Sequence, residues 1–116
     1  MQAAQNPLIT IFTAPKPFRD EHITTIQMNA IRSWQQLGQR VSILLLGDEE
    51  GVQEFAQDFK LGYVPSVARN KLGTPLISSI FDIGRKFNDS PLLAYVNADI
   101  LLFEDFVHVA DRIATQ

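Results

Sequence analysis

The stretch PLLAYVNADILLFEDF, residues 91–106, decides how this chain is read. Its apolar run, residues 92–96, stops at Asn97 and Asp99 and turns hydrophobic again from Ile100. A buried strand that ends on a carboxamide and a carboxylate two residues apart admits two readings. In the first, the polar pair is a stop signal. Asn97 then ends the strand, and Asp99 or Asp105 caps a last helix marked by Phe103, Phe106, Val107, Ala110 and Ile113. In the second, the pair is a small site for a metal ion. The choice depends on where the strand lies in its sheet, and therefore on the rest of the chain.

Moving outward, strand-like and helix-like periods alternate. LITIF, residues 8–12, is short, β-branched and bounded by prolines, which predicts a strand. In EHITTIQMNAIRSWQQLG, residues 21–38, Ile23, Ile26, Ala30, Ile31, Trp34 and Leu37 recur three and four apart, the mark of an amphipathic helix. Asp20 suits its N-cap and Gly38 its stop. VSILLLG, residues 41–47, is apolar on both faces, as in a buried parallel sheet. Val52, Phe55, Ala56 and Phe59 space a short helix. YVPSV, residues 63–67, predicts a third strand that Pro65 confines to an edge. Thr74 as N-cap and Pro75 as first helical residue open a third helix with Leu76, Ile80, Ile83 and Phe87 as its buried stripe. Residues 91–99 are the fourth strand.

The order β-α-β-α-β-α-β-α predicts one α/β domain over residues 1–116, an open parallel sheet with helices on both faces. Central first and second strands and an edge third strand suit the order 3-2-1-4. Ligands of such sheets bind beyond the carboxyl ends of the strands, where the winding reverses. Here that point lies between strands one and four. Thr13, Ala14 and Pro15 are presented from one, and Asn97, Ala98 and Asp99 from the other.

Composition narrows the chemistry. The net charge of -3 gives no reason to expect nucleic acid as a partner. With no cysteine, disulfides, thiolate zinc sites and cysteine nucleophiles are excluded. No apolar run approaches the length of a membrane span, and no secretion signal opens the sequence, so a cytoplasmic location is expected. Neither G-x-G-x-x-G nor a P-loop occurs. His22 and His108 lie in helical segments without evident partners, and Ser78 and Ser79 lack a nearby base.

Three polar segments remain. Asn97 and Asp99 offer a neutral and a charged oxygen, enough for Mg²⁺ or Mn²⁺ if a diphosphate supplies the rest. In GDEEG, residues 47–51, Asp48 either bonds ribose hydroxyls or caps the short helix. In ARNKLGT, residues 68–74, Arg69, Asn70 and Lys71 either attract a phosphate before a helix N-terminus or form a solvated loop.

Taken together, ITIFTAPKPF, GDEE, ARNKLGT and AYVNADILLFEDF give the chain a family likeness. It resembles the nucleotide-binding, Rossmann-like half of a GT-A glycosyltransferase of the family-two-like kind, over nearly its whole length. The resemblance implies that Thr13, Ala14, Pro15 and Asp48 contact the nucleoside. It also implies that Asn97 and Asp99, at the DXD position, hold the divalent metal that bridges the donor diphosphate. Asn97 replaces the first acid of that motif, so the metal is expected to be held less tightly or through water. Such enzymes continue for roughly another hundred residues that carry the acceptor site and the base. A fragment, a truncated paralogue or a half-domain needing a partner is therefore expected, and with it self-association through uncovered apolar residues such as Phe103 and Phe106. The sequence names neither the sugar nor the acceptor. The competing expectation is a non-catalytic binding or assembly module on the same scaffold. A phosphorylation receiver fits less well, because TAPKPF, residues 13–18, lacks its acidic cluster.

Overall fold

The pleat of the two central strands sorts the core into two faces. The computed structural model describes residues 7–66 and 77–115. Its elements are β1 (Ile9–Thr13), α1 (Glu21–Gln35), β2 (Val41–Leu46), α2 (Val52–Asp58), β3 (Gly62–Val64), α3 (Ile77–Phe87), β4 (Leu92–Tyr95) and α4 (Glu104–Ala114). The strands form one sheet in the order β3-β2-β1-β4, parallel at every pairing, as the sequence predicts. Along β1 and β2, side chains alternate between faces. Ile9, Ile11, Ile43 and Leu45 meet Ile31 and Trp34 of α1, Val52 and Phe55 of α2, and Ala110 of α4. Phe12, Leu44 and Leu46 meet Ile80 of α3 on the other face. Helices thus cover both sides, which is why the central strands are buried on both faces.

Helix α1 follows its sequence signals closely. Asp20, in extended conformation, accepts the Ile23 amide at 3.0 Å and so satisfies one of the free N–H groups of the first turn. Gly38, with φ of 92°, turns the chain back toward β2. The glycine-supported starts differ from expectation. The N-cap of α2 is Gly51 at φ 82° without a side-chain cap bond, so Asp48 does not occupy the N-cap position. A Cβ at Gly51 would stand 2.7 Å from Phe18 Cβ, so both backbone conformation and space demand glycine there.

The ends of the other elements also shift. The N-cap of α4 is Phe103, which leaves Asp99 and Asp105 without that role. Glu104 and Asp105 occupy its first turn, where the helix dipole favours them. Helix α4 meets the core through Val107, Ala110 and Ala114, at i, i+3 and i+7, with Phe106 beside them. Ile113, one of the apolar residues that mark the helix, is 55% exposed. Phe103, expected to be uncovered, is 66% exposed, whereas Phe106, expected likewise, packs against the core. Strand β3 ends before Pro65, whose missing N–H cannot extend the ladder, and Ser66 lies beyond it. Phe87, also expected in a buried stripe, is largely exposed but packs over Gly62 of β3, where a Cβ would come 2.5 Å from its ring. Val67, Thr74, Pro75 and Leu76 fall outside the described residues.

A buried polar knot fixes β4 beside β1 at the end of the sheet away from the strands' carboxyl termini. The Thr10 hydroxyl lies 2.8 Å from Asn88 Oδ1 and 2.8 Å from Ser90 Oγ. Asn88 Oδ1 also accepts the Ser90 amide at 3.0 Å, and Ser90 Oγ donates to the Leu92 carbonyl at 3.0 Å. Thr10→Val keeps the shape and removes the hydroxyl from a fully buried position. It should lower unfolding stability by about 1–3 kcal/mol in urea titrations. An unchanged midpoint would mean that the knot does not hold the α3–β4 turn.

Candidate functional site

Because β4 lies beside β1 rather than beside β3, the winding of the sheet reverses between them. A cleft of about 410 Å³ opens at their carboxyl ends. Ala14 and Lys16 line it from the segment after β1. Tyr95, Asn97, Ala98 and Asp99 line it from the end of β4. Helix α1 closes it with Ile23, Ile26 and Gln27.

The β4 lip is a turn. Pairing with β1 ends as the Val96 amide donates to the Phe12 carbonyl at 3.1 Å. The Ile100 amide then donates to the Asn97 carbonyl at 3.2 Å. Ala98 is the residue this turn buries, while Asn97 and Asp99 on either side of it are exposed. The polar pair therefore stands on a turn beyond the strand, which is shorter than the expected 91–99. Helix α1 holds the turn from behind. Trp34 Nε1 donates to the Ile100 carbonyl at 2.7 Å, and the Leu102 amide donates to Ser33 Oγ at 3.0 Å.

The β1 lip is held by the same helix. Gln27 accepts the Lys16 amide at Oε1, 2.7 Å away, and donates from Nε2 to the Lys16 carbonyl at 3.0 Å. Its side chain is only 3% exposed, so both ends of a buried carboxamide are satisfied by one residue's backbone. Further along, the Phe18 amide donates to the Glu50 carbonyl at 2.7 Å, and the Phe18 ring stacks on Phe55 at 5.1 Å. Arg19 pairs with Glu50 at 3.4 Å on the surface. These contacts tie the β1–α1 loop to the loop that follows β2.

The residues singled out in the sequence separate into groups. Ala14, Asn97 and Asp99 share the cleft. Thr13 and Pro15 are buried beside it. Thr13 Oγ1 has no hydrogen-bond partner among the described residues, which is costly for a hydroxyl removed from water. Asp48 is exposed on the loop after β2, outside the residues that line the cleft. Burial, and behind it the carboxylates of Asp48 and Glu54, hold the Tyr63 phenol pKa above its ordinary value. Arg69, Asn70 and Lys71 fall outside the described residues. His22 and His108 are exposed on their helices.

Lys16, Gln27 and Tyr95 line the cleft without having been singled out. Gln27 carried a signal, since it interrupts the apolar stripe four residues after Ile23 and four before Ile31. Among the described residues, no three of His, Asp and Glu converge on a point where a metal would sit, and no helix is long and apolar enough to cross a membrane. No known protein family, curated protein or solved structure matches the chain.

The mooring of the β4 lip is open to test. Ser33→Ala removes the acceptor of the Leu102 amide, and amide hydrogen exchange at Leu102 should speed up while β1 and β2 stay protected. Unchanged protection at Leu102 would contradict the mooring.

Proposed function

We propose that the chain is the donor-binding domain of a metal-dependent glycosyltransferase, and that the cleft between β1 and β4 takes a nucleotide-diphosphate sugar. The observation that supports this reading is the cleft at the switch point, which a turn lines with one carboxamide-bearing and one carboxylate-bearing residue. Asn97 and Asp99 are a sparse donor set. They fit Mg²⁺ or Mn²⁺ when diphosphate and water oxygens complete the shell, the usual manner for these hard cations. When bound, such an ion stabilises charge on the departing diphosphate as a Lewis acid.

The chain's own residues contribute placement. Ile23 and Ile26 give the cleft an apolar wall that keeps water from one side of the ligand. The bonds from Trp34 and Ser33 hold the Asn97–Asp99 turn before any ligand arrives, so little ordering is left for the binding step. In the transfer, the bond from the sugar anomeric carbon to the diphosphate oxygen breaks, its electron pair leaving with the nucleoside diphosphate. A bond to an acceptor hydroxyl oxygen forms, and that hydroxyl's proton is released to water. Asp48 is assigned to the ribose hydroxyls, and Arg69, Asn70 and Lys71 to phosphate. A second reading, a non-catalytic binding module on the same scaffold, is favoured by the single carboxylate in the cleft.

Opposite substitutions distinguish a site from a mere end of the strand. Both side chains are exposed, so Asp99→Asn and Asn97→Asp should each change stability by no more than about 0.5 kcal/mol. In calorimetry with UDP, GDP and CDP in Mn²⁺, Asp99→Asn should weaken binding by roughly tenfold or more, as loss of a charged contact does. Asn97→Asp should tighten it. Affinities unmoved by both changes would exclude the turn as a metal site. Metal-dependent donor binding without donor hydrolysis or transfer would favour the non-catalytic module.

A further inference from the structure

Gln27 is a polar residue in the buried stripe of α1, and its side-chain oxygen and nitrogen each bond the backbone of Lys16. Burying a carboxamide is costly unless it is paired, and here the pairing satisfies the Lys16 N–H and carbonyl in return. What the clamp achieves is local: it fixes the peptide groups on both sides of the Lys16 Cα, between Pro15 and Pro17, whose rings limit φ on either side. The direction in which the lysine leaves the loop is thereby restricted.

Lys16 is exposed and lines the β1/β4 cleft on the side facing the Asp99 lip. It also lines a second depression of about 380 Å³ with Pro17, Arg19 and Asp20, so it stands where the two hollows meet. Its ammonium makes no ion pair among the described residues, whereas Arg19 on the same loop is engaged by Glu50.

We infer that Lys16 is an anion-binding residue of this cleft, that its ammonium takes phosphoryl oxygens of the ligand's diphosphate, and that Gln27 is the residue that positions it. The inference deepens the proposed function and rests on it for the identity of the ligand. Charge supports the assignment. A sugar-linked diphosphate brings two negative charges and Asp99 a third. A divalent cation offsets two of them, and among the described residues that line the cleft Lys16 is the cation that offsets the third.

The test compares inorganic pyrophosphate, UDP and uridine by calorimetry on the wild-type chain and on Lys16→Met, Lys16→Arg and Gln27→Met. Lys16→Met should weaken pyrophosphate and UDP by about tenfold or more and leave uridine unaffected. Lys16→Arg should retain most of the binding. Gln27→Met, with native circular dichroism, should weaken the anions as Lys16→Met does. Should Gln27→Met fail to fold, the surface variant Lys16→Met decides alone. Wild-type UDP and pyrophosphate binding that Lys16→Met leaves intact would overturn the role of Lys16 while keeping the nucleotide reading. Pyrophosphate binding that depends on Lys16, with no gain from the nucleoside, would keep Lys16 and overturn the nucleotide. Binding of neither anion by the wild-type chain would overturn both.

Discussion

Helix α1 acts as a common abutment for the two lips of the cleft, and the geometry of the site depends on it. Loops beyond a sheet are ordinarily the least constrained part of an α/β domain. Here the segment after β1 is clamped by Gln27 and the turn after β4 is tied by Trp34 and Ser33. The helix in turn is held to the sheet by Ile31 and Trp34, both fully buried against β1 and β2. Packing of one amphipathic helix therefore sets the separation of Lys16 and Asp99, residues 83 positions apart by number (99 − 16). A ligand spanning that cleft meets walls already in place.

The same helix accounts for the use of the lone tryptophan. A buried indole needs a partner for its N–H. Trp34 finds one in the Ile100 carbonyl, which would otherwise be left open where the chain abandons the β4 ladder. The apolar body of the side chain belongs to the core and its polar edge to the site. Gln27 divides its roles in a similar way. Its stem lies in the buried stripe and its amide satisfies Lys16. Core and cleft thus share residues, and a substitution at either position alters both stability and the lips.

The alternation of periods made the sheet legible. Strands with apolar residues on both faces, β1 and β2, could only be central in a covered sheet, and Pro65 could only follow an edge strand. From these came the order 3-2-1-4 and hence the place of the cleft. Asn97 and Asp99 were legible because they break an apolar run at that place. Caps and helix faces were less so. A capping role was one of two open readings of Asp48, but the α2 start is set by a left-handed Gly51 packed against Phe18, a long-range contact with no local signature. Ile113 fell in the helix's apolar pattern yet is exposed, because period alone does not say which of a helix's neighbouring stripes meets the sheet. Lys16 was hidden for a different reason. Its significance comes from Gln27, eleven residues later, and from a β4 lip that reaches it only through the parallel pairing.

The central claim is that the β1/β4 cleft receives a nucleotide diphosphate between these two lips. Its most direct test is a two-dimensional amide NMR titration of the labelled chain with UDP and Mg²⁺. The amides of Ala14 and Lys16, the turn at Asn97, Asp99 and Ile100, and the Gln27 side-chain amide should shift together and saturate along one binding curve. Shifts confined to other surfaces, or none at ligand concentrations well above millimolar, would contradict the account.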